Sequence, residues 1–133
     1  MSTNQVTAVT ETTKAKLSTL WIVVMFALLA ADVLSQYIPG ASEEVAQFAG
    51  DTPIPLFMLV AAILMGIPIV MIFLARILPR GVNRWANIVA AVITIVYVIG
   101  GGSTYPHYIF LAAIEVVSLF LIIWYAWRWP ATE

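Results

Sequence analysis

Apolar positions in this chain fall in long, nearly unbroken runs rather than at the two-residue or three-and-four-residue spacing of half-buried elements. A run that is apolar all round and about 20 residues long is what a hydrocarbon core of about 30 Å requires of a helix. Four such runs cover about 17–37, 54–78, 84–100 and 106–129. Polar punctuation divides them. The first stops at Pro39-Gly40, and the second opens between Pro53 and Pro55 and stops before Pro79. Proline suits a first helical turn and discourages continuation past an end. The third starts at Asn83-Arg84-Trp85 and ends at Gly100-Gly101-Gly102; the fourth starts at Pro106, with Ser103 or Thr104 as candidate cap, and ends at Trp129-Pro130.

The pattern predicts an all-α fold: four transmembrane helices in an up-down bundle, forming a single domain over 14–130. Residues 1–13, polar and Thr-rich, are expected as a mobile tail, and 131–133 as a short C-terminal tail. The string "SEEVAQFA" at 42–49 predicts a short helix on the membrane surface, capped by Ser42, with Val45, Phe48 and Ala49 on one side.

Charge orients the bundle. Lys14, Lys16, Arg76, Arg80, Arg84 and Arg128 all flank the same ends of the runs, whereas the 38–53 and 100–106 connections hold no Lys or Arg and the first holds Glu43, Glu44 and Asp51. The positive-inside rule then places both termini and the connection between the second and third spans in the cytoplasm, of a cell inner membrane. Six against none excludes a dual-topology protein. Apolar character continues from Lys16 to Tyr37 without a small-x-small cleavage site, which reads as a span and not a leader. Trp21, Trp85, Trp124, Trp127 and Trp129 fall near one set of span ends and Tyr37, Tyr97, Tyr105 and Tyr108 near the other, as interfacial belts would.

Composition agrees, with 62% hydrophobic residues, 10% charged and mean hydropathy +0.99. Soluble domains are nearer half apolar and about a quarter charged. With no Cys and one His, thiolate chemistry, Cys-held clusters and a bis-histidine haem are excluded within one chain, so no cofactor or metal is expected. No basic run points to nucleic acid. The expected partners are the lipid bilayer and a second membrane protein or a second copy of the chain.

Two acids interrupt the apolar runs. Asp32 lies five residues before Tyr37, about 8 Å below that end of its span, and Glu115 lies nine residues past Pro106, about 13 Å below the same surface. Their spans run in opposite directions, yet both acids fall in the same half of the membrane. Helical spacing adds Ser35 and Gln36 to the face of Asp32, and Tyr108 and Ser118 to that of Glu115. Asn87, Ala91, Thr94, Tyr97 and Gly101 form a small and polar stripe on the third span, and His107 stands at the outer boundary as an interfacial residue, with a proton relay to Glu115 as the alternative. Ala62 and Gly66 offer close helix approach on the second span; Gly66 and Pro68 predict a kink, with Pro68 freeing a carbonyl. A charged acid at a span centre costs about 2.5–3.5 kcal/mol on insertion scales, and no Lys or Arg sits at this depth. A shared proton, a bound cation or a water-filled vestibule is therefore expected to compensate.

The strings "LSTLWI" at 17–22, "AD" at 31–32, "IPIVM" at 67–71, "NRWANI" at 83–88, "IE" at 114–115 and "IIWYAWRWP" at 122–130 resemble a family of small prokaryotic four-helix membrane proteins of unknown function. The overall plan is also similar to the DoxX-like group, some of whose members are associated with quinone-linked oxidoreductases. Neither likeness implies a reaction. Small multidrug transporters match in size and span count, but they carry their essential Glu in the first span, where this chain has Asp32. No catalytic constellation is visible, so an enzyme acting alone is not expected. The leading expectation is proton- or cation-linked movement of a small solute through a site containing Asp32 and Glu115. An accessory or assembly subunit, and a lipid- or quinone-binding module, are the alternatives.

Overall fold

A computed structural model describes residues 2–131. Among them are five helices: α1 (Thr3–Ser35), α2 (Ala41–Ala49), α3 (Ile54–Ile77), α4 (Arg80–Gly100) and α5 (Pro106–Trp127). All but α2 are long and apolar enough to cross a membrane. α1 packs against α3 and α5, and α4 packs against the same two, giving an up-down four-helix bundle. The start of α1, the α3–α4 connection and the end of α5 share one end, which carries every Lys and Arg; α2 and the α4–α5 connection lie at the opposite, acidic end.

Most of the segment expected as a mobile tail is helix. The Ser2 hydroxyl accepts from the Gln5 N–H at 3.2 Å while the Gln5 side chain accepts from the Ser2 N–H at 2.8 Å, which satisfies two donors of the first turn. Thr7, Thr12 and Thr13 donate to carbonyls four residues earlier, so their hydroxyls do not compete with the helix. At 33 residues α1 is about 50 Å long, well beyond the bilayer core, and its first turns stand outside it.

Two expected caps are corrected. α2 begins after Gly40, whose φ of 84° needs glycine, and Ser42 lies inside the helix with its hydroxyl turned to Glu43. α5 begins after Tyr105 without a side-chain cap; Ser103 instead accepts from the Tyr105 N–H at 3.1 Å, holding the connection. Phe48 of α2 meets Phe57 of α3 edge-on, with ring centroids 5.9 Å apart.

The basic half of the bundle is tightly closed. Leu17, Trp21, Val24, Ala75, Leu119, Ile122 and Ala126 are wholly buried there. Trp21 and Trp129 leave the expected interfacial belt for the interior, while Trp85, Trp124 and Trp127 remain exposed. The Trp21 indole donates across the core to Asn87 Oδ1 at 2.7 Å; the Asn87 amide donates to Asn83 Oδ1 at 2.6 Å; the Asn83 amide donates to the Ala75 and Leu78 carbonyls at 2.8 and 3.1 Å. Pro79 has no N–H to offer the carbonyl four residues before it, and Asn83 supplies the missing donor. Arg84 donates to the Ala126 and Trp127 carbonyls, and Arg80 to that of Trp129, so two cations cap the negative end of α5.

The acidic half is less tightly packed on its α3 side. Buried residues of α3 are Pro68, Met71 and Ala75, all towards the basic end, and none lies between Ile54 and Ile67. The close approach expected at Ala62 and Gly66 is not made. Ala62 is exposed, and a Cβ at Gly66 would meet nothing within 4 Å. Pro68 sits inside α3, buried, where it removes the N–H that would bond the Leu64 carbonyl.

Candidate functional site

Two acids and two tyrosines lie on three helices towards that end. Glu115 on α5 is 1% exposed, on the stripe that continues through Ser118, Leu119 and Ile122 into the closed core. Asp32 on α1 is exposed. Tyr97 on α4 and Tyr108 on α5 are half-buried.

The groups expected to hold those acids are largely spent elsewhere. Thr94 is buried and donates to the Ala90 carbonyl of its own helix at 2.8 Å. Tyr108 reaches across to α4 and donates to the Val98 carbonyl at 2.9 Å. Ser35 donates to the Ala31 carbonyl at 2.7 Å. Gln36 is exposed at the end of α1 and does not join the site. In each hydroxyl the single proton has gone to a backbone carbonyl, a common use of Ser and Thr in helices. Glu115 Oε1 is left buried with no hydrogen-bond partner among the described residues. Buried polar atoms are rarely left so, and each calls for an explanation. Neither acid forms an ion pair; the salt bridge among the described residues joins Lys14 to Glu11, far away on α1.

A second polar track runs from the acidic end towards Asp32. Tyr105 donates to Glu44 Oε1 of α2 at 3.1 Å, its ring stacks on that of His107 with centroids 6.1 Å apart, and His107 Nε2 lies 3.0 Å from the Ser35 hydroxyl. The Glu44 carboxylate accepting that hydrogen bond holds the Tyr105 phenol above its ordinary value of 10.0. His107 therefore links Tyr105 of the α4–α5 connection to Ser35 of α1, one turn from Asp32.

Among the described residues no group of three or more His, Asp and Glu side chains is placed to hold a metal ion. The residues that sequence reasoning passed over are Ser18, Asn83, Arg80 and Arg84. Ser18 ties α1 to α3 through the Ile72 carbonyl at 2.8 Å. The Asn83–Asn87 pair was visible as two amides four residues apart, just beyond a proline.

The chain belongs to the family of unknown function DUF6326, which it matches over residues 5–133. No curated protein and no solved structure matches it.

Proposed function

We propose that this family member is a multi-pass protein of the cell inner membrane that moves a small solute by exchange with a proton or cation at Asp32 and Glu115. The observation that carries the reading is Glu115 Oε1, a buried carboxylate oxygen without a donor, in the half of the bundle where α3 has no fully buried residue. A carboxylate kept for packing would be hydrogen-bonded, because the desolvation cost otherwise falls on the fold. A carboxylate that must take up and release a charge is instead left a free lone pair. The basic end, closed by the Trp21–Asn87–Asn83 chain, faces the cytoplasm in this reading, and the acidic end faces outward. Four helices enclose little volume, so a homo-oligomer or a partner membrane protein completes the path. The chain performs no chemistry of its own on the solute.

The test is proton flux in proteoliposomes loaded with a pH-sensitive dye, driven by a potassium diffusion potential. Wild-type vesicles should acidify or alkalise faster than protein-free vesicles, and Asp32→Asn and Glu115→Gln should return to the protein-free rate while keeping their fold. Amide variants as fast as wild type, or wild type no faster than lipid alone, would end the proposal.

A further inference from the structure

We infer that the exposed face of α5 binds one anionic phospholipid of the leaflet at the basic end, its phosphodiester at Arg128 and one acyl chain along Val117, Phe120, Leu121 and Trp124. This face turns away from the buried stripe that holds Glu115, and it stands apart from the exchange reading above.

The tail follows from a groove. Val117, Phe120, Leu121 and Trp124 line an open groove of about 350 Å³. Steps of three and four residues put them on one face of α5, and Arg128, four residues past Trp124, extends the same line. All five are exposed, whereas Glu115, Ser118, Leu119 and Ile122 form the buried side of the helix. From Val117 to Arg128 is about 16 Å along the axis at 1.5 Å per residue. Half of a hydrocarbon core of about 30 Å is about 15 Å, so the line spans one leaflet from its chain ends to its phosphates.

The headgroup follows from the cations at the end of that line. The Arg128 guanidinium lies 4.5 Å from the centre of the Trp124 ring and forms no ion pair among the described residues. Lys16 of α1 lies 5.1 Å from the Tyr125 ring, and Arg84 of α4 lies 5.1 Å from that of Trp127, so three cations surround the end of α5. The last carbonyls of a helix repel an anion, but those of Ala126, Trp127 and Trp129 are already covered by Arg84 and Arg80. In sequence, the segments at this end hold six Lys and Arg against Glu11 and Glu133, and Glu11 is paired with Lys14. A phosphodiester supplies the missing negative charge. The exposed indoles of Trp85, Trp124 and Trp127 set these cations at headgroup level, which favours a lipid over a soluble anion.

Brominated lipids, which quench tryptophan fluorescence on contact, test this with the full chain in a neutral maltoside. Trp21 and Trp129 are buried, so Trp85→Phe with Trp127→Phe leaves Trp124 as the exposed indole. Phosphatidylglycerol brominated on its chains should quench it saturably, at a concentration about fivefold below that needed for phosphatidylcholine with the same chains. Arg128→Gln in that background should remove most of this preference and leave quenching by phosphatidylcholine unchanged. Neither glycerophosphoglycerol, the same headgroup without chains, nor an oligoglutamate peptide should displace the lipid at equal concentration. The lipid preference is also read in the wild type, where Trp85 and Trp127 report as well, so it survives a variant that folds poorly. Equal quenching by the two lipids, or a preference that outlasts Arg128→Gln, would overturn the headgroup site. Displacement by the bare headgroup or the peptide would put a soluble anion or an acidic protein segment in place of the lipid. No quenching by either lipid would mean that a protein face covers the groove, and would overturn the assignment as well.

Discussion

Ser35 decides which nitrogen of His107 carries a proton. The serine hydroxyl has one hydrogen and gives it to the Ala31 carbonyl at 2.7 Å, so at the 3.0 Å contact with His107 it can only accept. His107 Nε2 is therefore the donor, and the neutral ring is the Nε2–H tautomer with Nδ1 left as an acceptor. Nitrogen-15 correlation spectra of selectively labelled histidine should show the Nε2–H form in wild type. Ser35→Ala should produce a mixture of tautomers. An Nδ1–H form in wild type would show that the contact runs the other way.

Tyr105 gives a second handle at the same end, outside the membrane-spanning segments. Its phenol is held up because the hydrogen bond to Glu44, and then the charge of that carboxylate, favour the neutral form. A folded value above the unfolded one means the Tyr105–Glu44 contact contributes fully below the ordinary tyrosine range and is lost as pH rises through the raised value. Absorbance titration at the tyrosinate band should show a late component that Glu44→Gln moves back towards the ordinary value. The same alkaline transition should loosen α2, seen as faster amide exchange over Ala41–Ala49.

The amide chain at the basic end should matter more for stability than its exposed neighbours. Trp21→Phe removes one donor to Asn87, a loss of about 0.6–2 kcal/mol for a hydrogen bond between membrane helices. Asn83→Leu orphans the Ala75 carbonyl that Pro79 cannot serve and takes the acceptor from Asn87, and should cost about 1–3 kcal/mol. The double variant should fall short of the sum, because both act on Asn87. Unfolding in mixed micelles measures all three. Additive losses would mean that the three side chains do not form one network.

How much of this was legible before the coordinates depends on whether a feature is local. The spans were legible, since length and hydropathy are properties of the chain itself, and three of the four spans begin or end at Pro53, Pro79 or Pro106. That Asp32 and Glu115 fall in the same half of the membrane is an expectation from 1.5 Å per residue. Helical residues 3–13 were missed although "STNQ" carries a capping box, because a Thr-rich polar segment also fits a tail. Ala62 and Gly66 have the same spacing whether they meet a helix or lipid, and only tertiary structure separates the two. The roles of Thr94 and Ser35 depended on which acceptor each hydroxyl chose, and the nearest one is always the preceding helical turn. Asn83 required knowing that a carbonyl eight residues back would lie within reach.

Glu115 supplies the last and sharpest test, because transport and scaffolding predict opposite signs for one substitution. Leucine has nearly the volume of glutamate and none of its desolvation cost. If Glu115 Oε1 is unpartnered, Glu115→Leu should raise stability by about 1–3 kcal/mol, the expected result of replacing an uncompensated buried polar group by a packed apolar one. Proton flux should disappear in the same variant. If instead the carboxyl ties helices together through a hydrogen bond, leucine orphans its partner and stability should fall by a similar amount. Glu115→Gln separates the two further. It keeps the shape and adds donors, so under the transport reading it leaves stability close to wild type, whereas a specific carboxyl bond would be weakened by it as well. Chemical unfolding of the three proteins in identical bilayers reads the sign directly. A less stable Glu115→Leu with unchanged flux would make this acid a strut and not a carrier.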